Sequence, residues 1–214
     1  MKFFLDTAKM DEIKQADEWG VLDGVTTNPT HVAATGKKFS EVAEEIVDYV
    51  DGPVSLEVVS TEWEGMVEEA KELAKMGDNV VVKIPLIRQG IRAIKELTAL
   101  GIKTNATLNF SLPQALMAAK VGATYVSPFV GRLDNVGMDG MRLVKDIRTM
   151  LDNYDFDTKI ILSAARHPLH IVEGAKMGAD VTTMRLNILE QLFEHPQTDK
   201  GLEMFLEDWE NVPQ

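Results

Sequence analysis

The chain has no cysteine, which removes disulfide frameworks, thiol nucleophiles and thiolate metal sites together. Histidine is scarce, with four in 214 residues. The nearest approach to a metal pair is His167 with His170, three apart on one helical turn. An ordinary pair of loop histidines is the competing reading, and no metal or cofactor is expected. Basic residues are outnumbered, 22 Lys and Arg against 34 Asp and Glu, for a net charge of -12. With no basic tract, nucleic acid is not an expected partner. A local cluster of Arg can still oppose the global charge, so an anionic metabolite is not excluded. No apolar run reaches the length of a membrane span, and Asp6 interrupts Phe3-Phe-Leu5 too early for a signal peptide. No membrane partner is expected, and the expected location is cytoplasmic. Gly131, Gly137 and Gly140 lack the spacing of a dinucleotide fingerprint. No Pro-, Gly- or Ser-rich linker divides the chain, so residues 1–214 are expected to form one domain.

What the chain does have is a regular alternation of short apolar runs with amphipathic stretches. Strands are predicted at 2–5, 24–29, 54–59, 79–85, 102–108, within 122–131, at 158–162 and at 178–184. Helical periodicity lies between them, at 9–19, 39–49, 62–76, 88–100, onward from Ser111, at 138–152 and at 170–177. Gly77 is read as a helix C-cap and Ser111 as an N-cap, with Pro113 in the first turn. Strands separated by crossover helices run parallel. Eight such units predict an α/β fold of the (β/α)8 TIM-barrel type, with a doubly wound sheet as the alternative. Beyond the eighth strand lie a stretch at 188–193 and a C-terminal helix at 199–209. That helix carries Leu202, Phe205, Leu206 and Trp209 as an apolar stripe, fitted either to cap its own barrel or to pack on a neighbour.

The run Asn79-Val-Val-Val-Lys-Ile-Pro85 holds the residue on which the functional reading turns. Lys83 sits near the end of a strand that reads as buried. An amine there is either a candidate Schiff-base former or a Lys whose stem packs while its head reaches water. In a barrel, chemistry collects at the C-terminal ends of the strands. Those ends carry Asp6, Thr27 with Asn28, Glu57, Lys83, Asn105 with Thr107, Phe129 with Arg132, and Arg166. One amine, two carboxylates, two Arg and several small polar groups suit aldol cleavage through an imine. In that scheme Lys83 attacks a ketone, Asp6 takes the hydroxyl proton, and Glu57 manages protons through a water held by Thr107. Arg132 and Arg166 hold a phosphate. Each residue has a plainer reading. Asp6 could cap a helix, Glu57 could pair with Lys83, and the Arg could pair with surface acids.

With these residues in hand, the chain resembles the transaldolase family, in the small single-domain branch that includes fructose-6-phosphate aldolase. The matching pieces are Phe4-Leu-Asp-Thr7, Gly24-Val-Thr-Thr-Asn-Pro29, Val54-Ser-Leu-Glu-Val-Val59, Val81-Val-Lys-Ile-Pro85, Lys103-Thr-Asn-Ala-Thr-Leu108, Ser127-Pro-Phe-Val-Gly-Arg132, Arg166-His-Pro-Leu-His170 and His195-Pro-Gln-Thr-Asp199. The resemblance implies a Schiff base on Lys83, Asp6 as acid and base, and Glu57 and Thr107 around a catalytic water. It implies Asn28 and Asn105 against the sugar, with Arg132 and Arg166 at the phosphate, and Thr27 and Phe129 at the same strand ends are expected to bind substrate as well. The implied reaction moves a dihydroxyacetone unit from sedoheptulose 7-phosphate to glyceraldehyde 3-phosphate, giving erythrose 4-phosphate and fructose 6-phosphate, as in the pentose phosphate pathway. The implied partners are phosphorylated sugars and further copies of the chain, in a pentamer or decamer. Alternatives are an aldolase using free dihydroxyacetone, and a non-catalytic barrel. Glu57 and Phe129 favour transfer, since the aldolase subgroup tends to have Gln and Tyr there. Three positions depart from the pattern. Ala164 stands where a phosphate-binding Ser is usual, Arg185 where Pro is usual, and Asn109 where a large aliphatic is usual. Ser163 is one place early, and strand alternation predicts that it does not stand in for the missing Ser.

Overall fold

A computed structural model describes residues 1–213. The elements in order are β1 (Lys2–Asp6), α1 (Met10–Glu18), β2 (Gly24–Thr26), α2 (Pro29–Thr35), α3 (Phe39–Tyr49), β3 (Val54–Glu57), α4 (Trp63–Ala74), β4 (Val80–Pro85), α5 (Arg88–Ala99) and β5 (Thr104–Asn109). There follow α6 (Leu112–Lys120), β6 (Tyr125–Pro128), α7 (Val130–Asp134), α8 (Gly140–Asn153), β7 (Lys159–Leu162), α9 (Pro168–Lys176), β8 (Val181–Met184), α10 (Leu186–Gln191) and α11 (Pro196–Glu210). The eight strands are all parallel and close in sequence order, with β8 beside β1. This is the expected (β/α)8 barrel, and the doubly wound alternative falls away.

Two apolar layers hold it together. One lies between strands and helices, where α3 buries Val42, Ala43, Ile46 and Val47, and α5 buries Ala93, Ile94 and Leu97. Each fully buried aliphatic of this kind contributes about 1.5–3 kcal/mol. The second layer is inside the barrel, where Phe4, Val81, Tyr125, Ile161 and Val181 pack together as a plug. These five also fix the facing of each strand. Two residues further along, the inward positions are Asp6, Lys83, Ser127, Ser163 and Thr183. Register does the same work between neighbours, setting Glu57 opposite Lys83 and Lys83 opposite Asn105.

Several boundaries differ from expectation. The second strand stops at Thr26, because Asn28 caps α2, its side-chain oxygen accepting from the His31 backbone N–H at 3.0 Å. The third strand ends at Glu57 rather than 59. Helix α9 begins at Pro168 rather than 170, and α11 at Pro196 rather than 199, each with Pro in its first turn. Gly77 is not the cap of α4, which closes at Lys75. A Cβ at Gly77 would lie 2.5 Å from Val47 Cγ1 and 2.7 Å from Asn79 Oδ1, so close packing is what demands glycine there. An irregularity between β5 and β6 sets Ala106 against Val126 but Asn109 against Pro128, one residue more on β5. Leu108 takes up that residue at φ 59°, a bulge that turns the end of β5 toward the barrel mouth. The sequence shows no longer-range signal for it.

Candidate active site

The carboxyl ends of the strands surround a cavity of about 820 Å³, a size suited to a small metabolite. Lys83 lies on its floor and is 5% exposed. Its Nζ donates to Glu57 Oε2 at 3.0 Å and to the Thr27 carbonyl at 3.0 Å. The reading of Lys83 as a snorkelling strand-edge residue therefore fails, because the amine is turned inward and partnered. Glu57 sits within the reach needed to exchange a proton with it.

Asp6 faces the same cavity from β1. Its Oδ1 accepts from the Thr26 hydroxyl at 2.9 Å, and Thr26 in turn meets the Thr183 hydroxyl at 2.6 Å. Its Oδ2 lies 3.3 Å from His31 Nε2. It caps no helix, since α1 begins after Lys9. Burial works to raise the Asp6 carboxyl, but the His31 hydrogen bond and charge, the Lys83 charge and the Thr26 hydroxyl outweigh it. The group is held below the usual carboxylate value. A carboxylate so held favours its ionised form.

Beside Lys83 the barrel is polar. Asn105 Oδ1 accepts from the Ser127 hydroxyl at 2.6 Å, and its Nδ2 donates to Ser55 Oγ at 3.3 Å. Thr107 lines the cavity, and its buried hydroxyl has no protein partner. Asn28 faces the cavity beside Pro29. Thr27 does not offer its side chain, because its hydroxyl donates to the Ser55 carbonyl at 2.9 Å. It contributes through its backbone carbonyl to Lys83, as the alternation from inward Thr26 requires.

Across the cavity stand Phe129, Arg132, Arg166 and Arg185. The Arg132 guanidinium carbon is 5.0 Å from the centre of the Phe129 ring, and that ring meets Phe110 edge-on at 5.8 Å. Arg166 Nη1 donates to Asn135 Oδ1 at 2.7 Å. Among the described residues, none of the three Arg has a carboxylate within 4.0 Å. That is notable in so acidic a chain, and it sets aside the reading of Arg132 and Arg166 as surface ion pairs. Arg185 likewise opens onto the cavity rather than pairing on the surface. His170 ties this rim together. Its Nδ1 accepts from the Arg166 backbone N–H at 3.3 Å, and its Nε2 faces Asp134 Oδ2 at 3.0 Å. His167 stacks on it at 3.8 Å between ring centres. The pair considered as a metal site is thus a clasp between α7 and α9.

Ser163 needs a correction. It faces the cavity, with its hydroxyl donating to the Ile161 carbonyl at 3.1 Å. Ala164 also lines the cavity, because at φ 57° it has left the strand and alternation no longer applies. Thr26, His31, Ser127 and Thr183 were not singled out from the sequence. Thr26, Ser127 and Thr183 lie on β2, β6 and β8, whose facing only the closed barrel fixes, and His31 reaches the site from a helix.

A closed parallel barrel with a partnered amine at the end of its fourth strand, and two carboxylates lining the same cavity, defines an amine-bearing (β/α)8 barrel. The comparisons with known proteins narrow this. The chain belongs to the transaldolase/fructose-6-phosphate aldolase family, whose model matches residues 3–214. A relative from Aquifex aeolicus (strain VF5), described as a probable transaldolase, is 58% identical over 214 residues, covering 100% of this chain and 99% of the relative. Probable transaldolases from Hydrogenobaculum sp. (strain Y04AAS1) and Dictyoglomus turgidum (strain DSM 6724 / Z-1310) are each 59% identical over 213 residues, covering 100% of this chain and 98% and 100% of the relatives.

Proposed function

We propose that the protein is a transaldolase, transferring a dihydroxyacetone unit between sugar phosphates through an imine on Lys83. The observation that carries this is the Lys83 amine 3.0 Å from Glu57, in a cavity whose opposite rim holds Arg132 and Arg166 without carboxylate partners. The amine attacks the donor's C2 ketone and water leaves, with Glu57 moving the protons and Thr107 steadying the water. Asp6 takes the proton of the C4 hydroxyl, the C3–C4 bond breaks, and an aldehyde departs. The bonding electrons remain on the Lys83 adduct as an enamine, which attacks the carbonyl of an incoming aldehyde. Asp6 returns its proton to the new hydroxyl, and hydrolysis of the imine frees Lys83. Asn28, Asn105 and Phe129 face the sugar in this scheme, with the Thr27 backbone anchoring the amine. Arg132 and Arg166 hold the phosphate as planar forks. Glu57 and Phe129 support transfer over release of free dihydroxyacetone.

The reaction needs no metal or organic cofactor, and a cytoplasmic setting suits its charged substrates. The family match over residues 3–214 and the end-to-end coverage of the relatives support one barrel unit over residues 1–214. We also take the protein to assemble with further copies of itself as a pentamer or decamer. No residue of α11 is buried, and Phe205 and Trp209 are 72% and 64% exposed, so this helix does not cap its own barrel. An apolar stripe of that kind is fitted to a partner.

Borohydride trapping with fructose 6-phosphate tests the reading. The reduced three-carbon unit should map to Lys83 by peptide mass spectrometry, and Lys83→Ala should abolish it. Label on another Lys, or none during turnover, would defeat the mechanism. Comparing transfer to erythrose 4-phosphate with release of free dihydroxyacetone then separates transferase from aldolase.

A further inference from the structure

We propose that His31 is the positioning residue of Asp6, meeting one carboxylate oxygen from the first turn of α2 so that the group is held facing the cavity for the aldol step. The inference rests on the imine reading above and extends it to a residue outside the strands. Asn28 caps α2 through the His31 backbone N–H, which fixes the first turn of the helix over the barrel mouth. The imidazole then descends to Asp6 Oδ2 at 3.3 Å, while Thr26 takes Oδ1. Each carboxylate oxygen thus has its own partner. Thr26 is itself braced by Thr183, so the carboxyl plane is held from two sides of the barrel.

The surroundings make His31 matter. The charged groups facing Asp6 are Lys83 from β4, itself engaged by Glu57 from β3, and Arg132, Arg166 and Arg185 across the cavity. Against them stands burial, the largest influence on Asp6, which favours the protonated acid. A protonated Asp6 cannot take the proton of the donor's hydroxyl, and C3–C4 cleavage stops. Removing the imidazole removes both a hydrogen bond and a nearby charge that favour the anion. The Asp6 titration therefore moves up.

The test is the pH profile of kcat/KM for transfer in wild-type enzyme, His31→Leu and His31→Asn, the last too short to reach Oδ2. Both variants should show the acid limb displaced to higher pH, with a lower kcat near neutrality and little change in KM for the phosphorylated donor. His31→Gln, which restores an N–H donor at similar reach, should recover part of the displacement. Borohydride trapping on Lys83 should persist in all of them, because imine formation uses Glu57. If the variants trap normally and their acid limb superimposes on that of wild type, His31 is merely structural and the inference is overturned alone. If wild type itself fails to trap, the imine reading falls and takes the inference with it. Should His31→Leu not fold, the limb of His31→Asn decides in the same way.

Discussion

Gly131 offers a way to disturb the proposed phosphate end without replacing a charged residue. It is buried in α7, directly under Arg166. A Cβ there would overlap the Ala164 carbonyl oxygen and lie 2.7 Å from Arg166 Nε and 2.9 Å from its Cδ. The carbonyl cannot easily retreat. Ala164 is already left-handed at φ 57°, and Ser163 beside it is held by bonds from its N–H to the Pro128 carbonyl at 3.0 Å and from the Val130 N–H at 3.1 Å. The flexible neighbour is the Arg166 side chain, so Gly131→Ala should push the guanidinium off its bond to Asn135. Losing one charge-assisted contact to phosphate costs about 1.5–3 kcal/mol, or roughly a tenfold to hundredfold rise in KM for phosphorylated donors. Overpacking should also destabilise the fold by about 1–3 kcal/mol, or roughly 2–4 °C in Tm for each kcal/mol in a chain of this size. Steady-state kinetics on fructose 6-phosphate and on an unphosphorylated ketose, alongside thermal unfolding, separate the two effects. A Tm loss with equal KM changes on both donors would refute the argument, because Arg166 would then not be reading phosphate.

Three further outcomes follow from the same geometry. Arg166→Ala should raise KM for phosphorylated sugars far more than for dihydroxyacetone, and Arg185→Ala should do the same if its unpaired guanidinium also meets the anion. Equal losses on both substrate types in steady-state assays would make these residues structural. A chain cut after Asp199 should scatter light as a smaller assembly than the full chain, and an unchanged mass with an intact barrel would contradict a role for α11 in association. Burial, joined by His167 and Arg166 and opposed by Asp134, holds His170 below the ordinary imidazole value. The unfolded chain therefore binds a proton that the folded chain refuses, so stability should fall as pH drops below about 6.5. The urea midpoint should trace this fall, and His170→Gln should flatten it.

The barrel was legible because strand-forming runs and amphipathic helices alternate with little interruption, and Gly101, Gly122 and Gly178 end their segments at positive φ. The amine and its two carboxylates were legible because polar groups at the ends of apolar strands are conspicuous. Facing was harder. Thr27 and Ser163 were misjudged because alternation depends on which residue of a strand points inward, and that is settled by the Phe4, Val81, Tyr125, Ile161 and Val181 plug rather than by local pattern. The bulge at Leu108 and the left-handed turn at Ala164 break the count altogether. His31 left no local sign, since its partner lies 25 residues earlier in the chain and only closure of β1 against β2 brings α2 over Asp6.

The plug of Phe4, Val81, Tyr125, Ile161 and Val181 has a kinetic meaning. It packs the barrel below Lys83, and the amine faces the cavity at the carboxyl ends of the strands. On the imine reading, the acceptor aldehyde and the water that would discharge the enamine adduct enter by the same opening and compete for one intermediate. The ratio of transfer to wasteful hydrolysis is then a property of the doorway, where Leu108, Phe129 and Arg185 stand, and not of the floor. Trimming Val81 or Ile161 should loosen the protein and leave that ratio alone, whereas reshaping Phe129 should change which of the two arrives first.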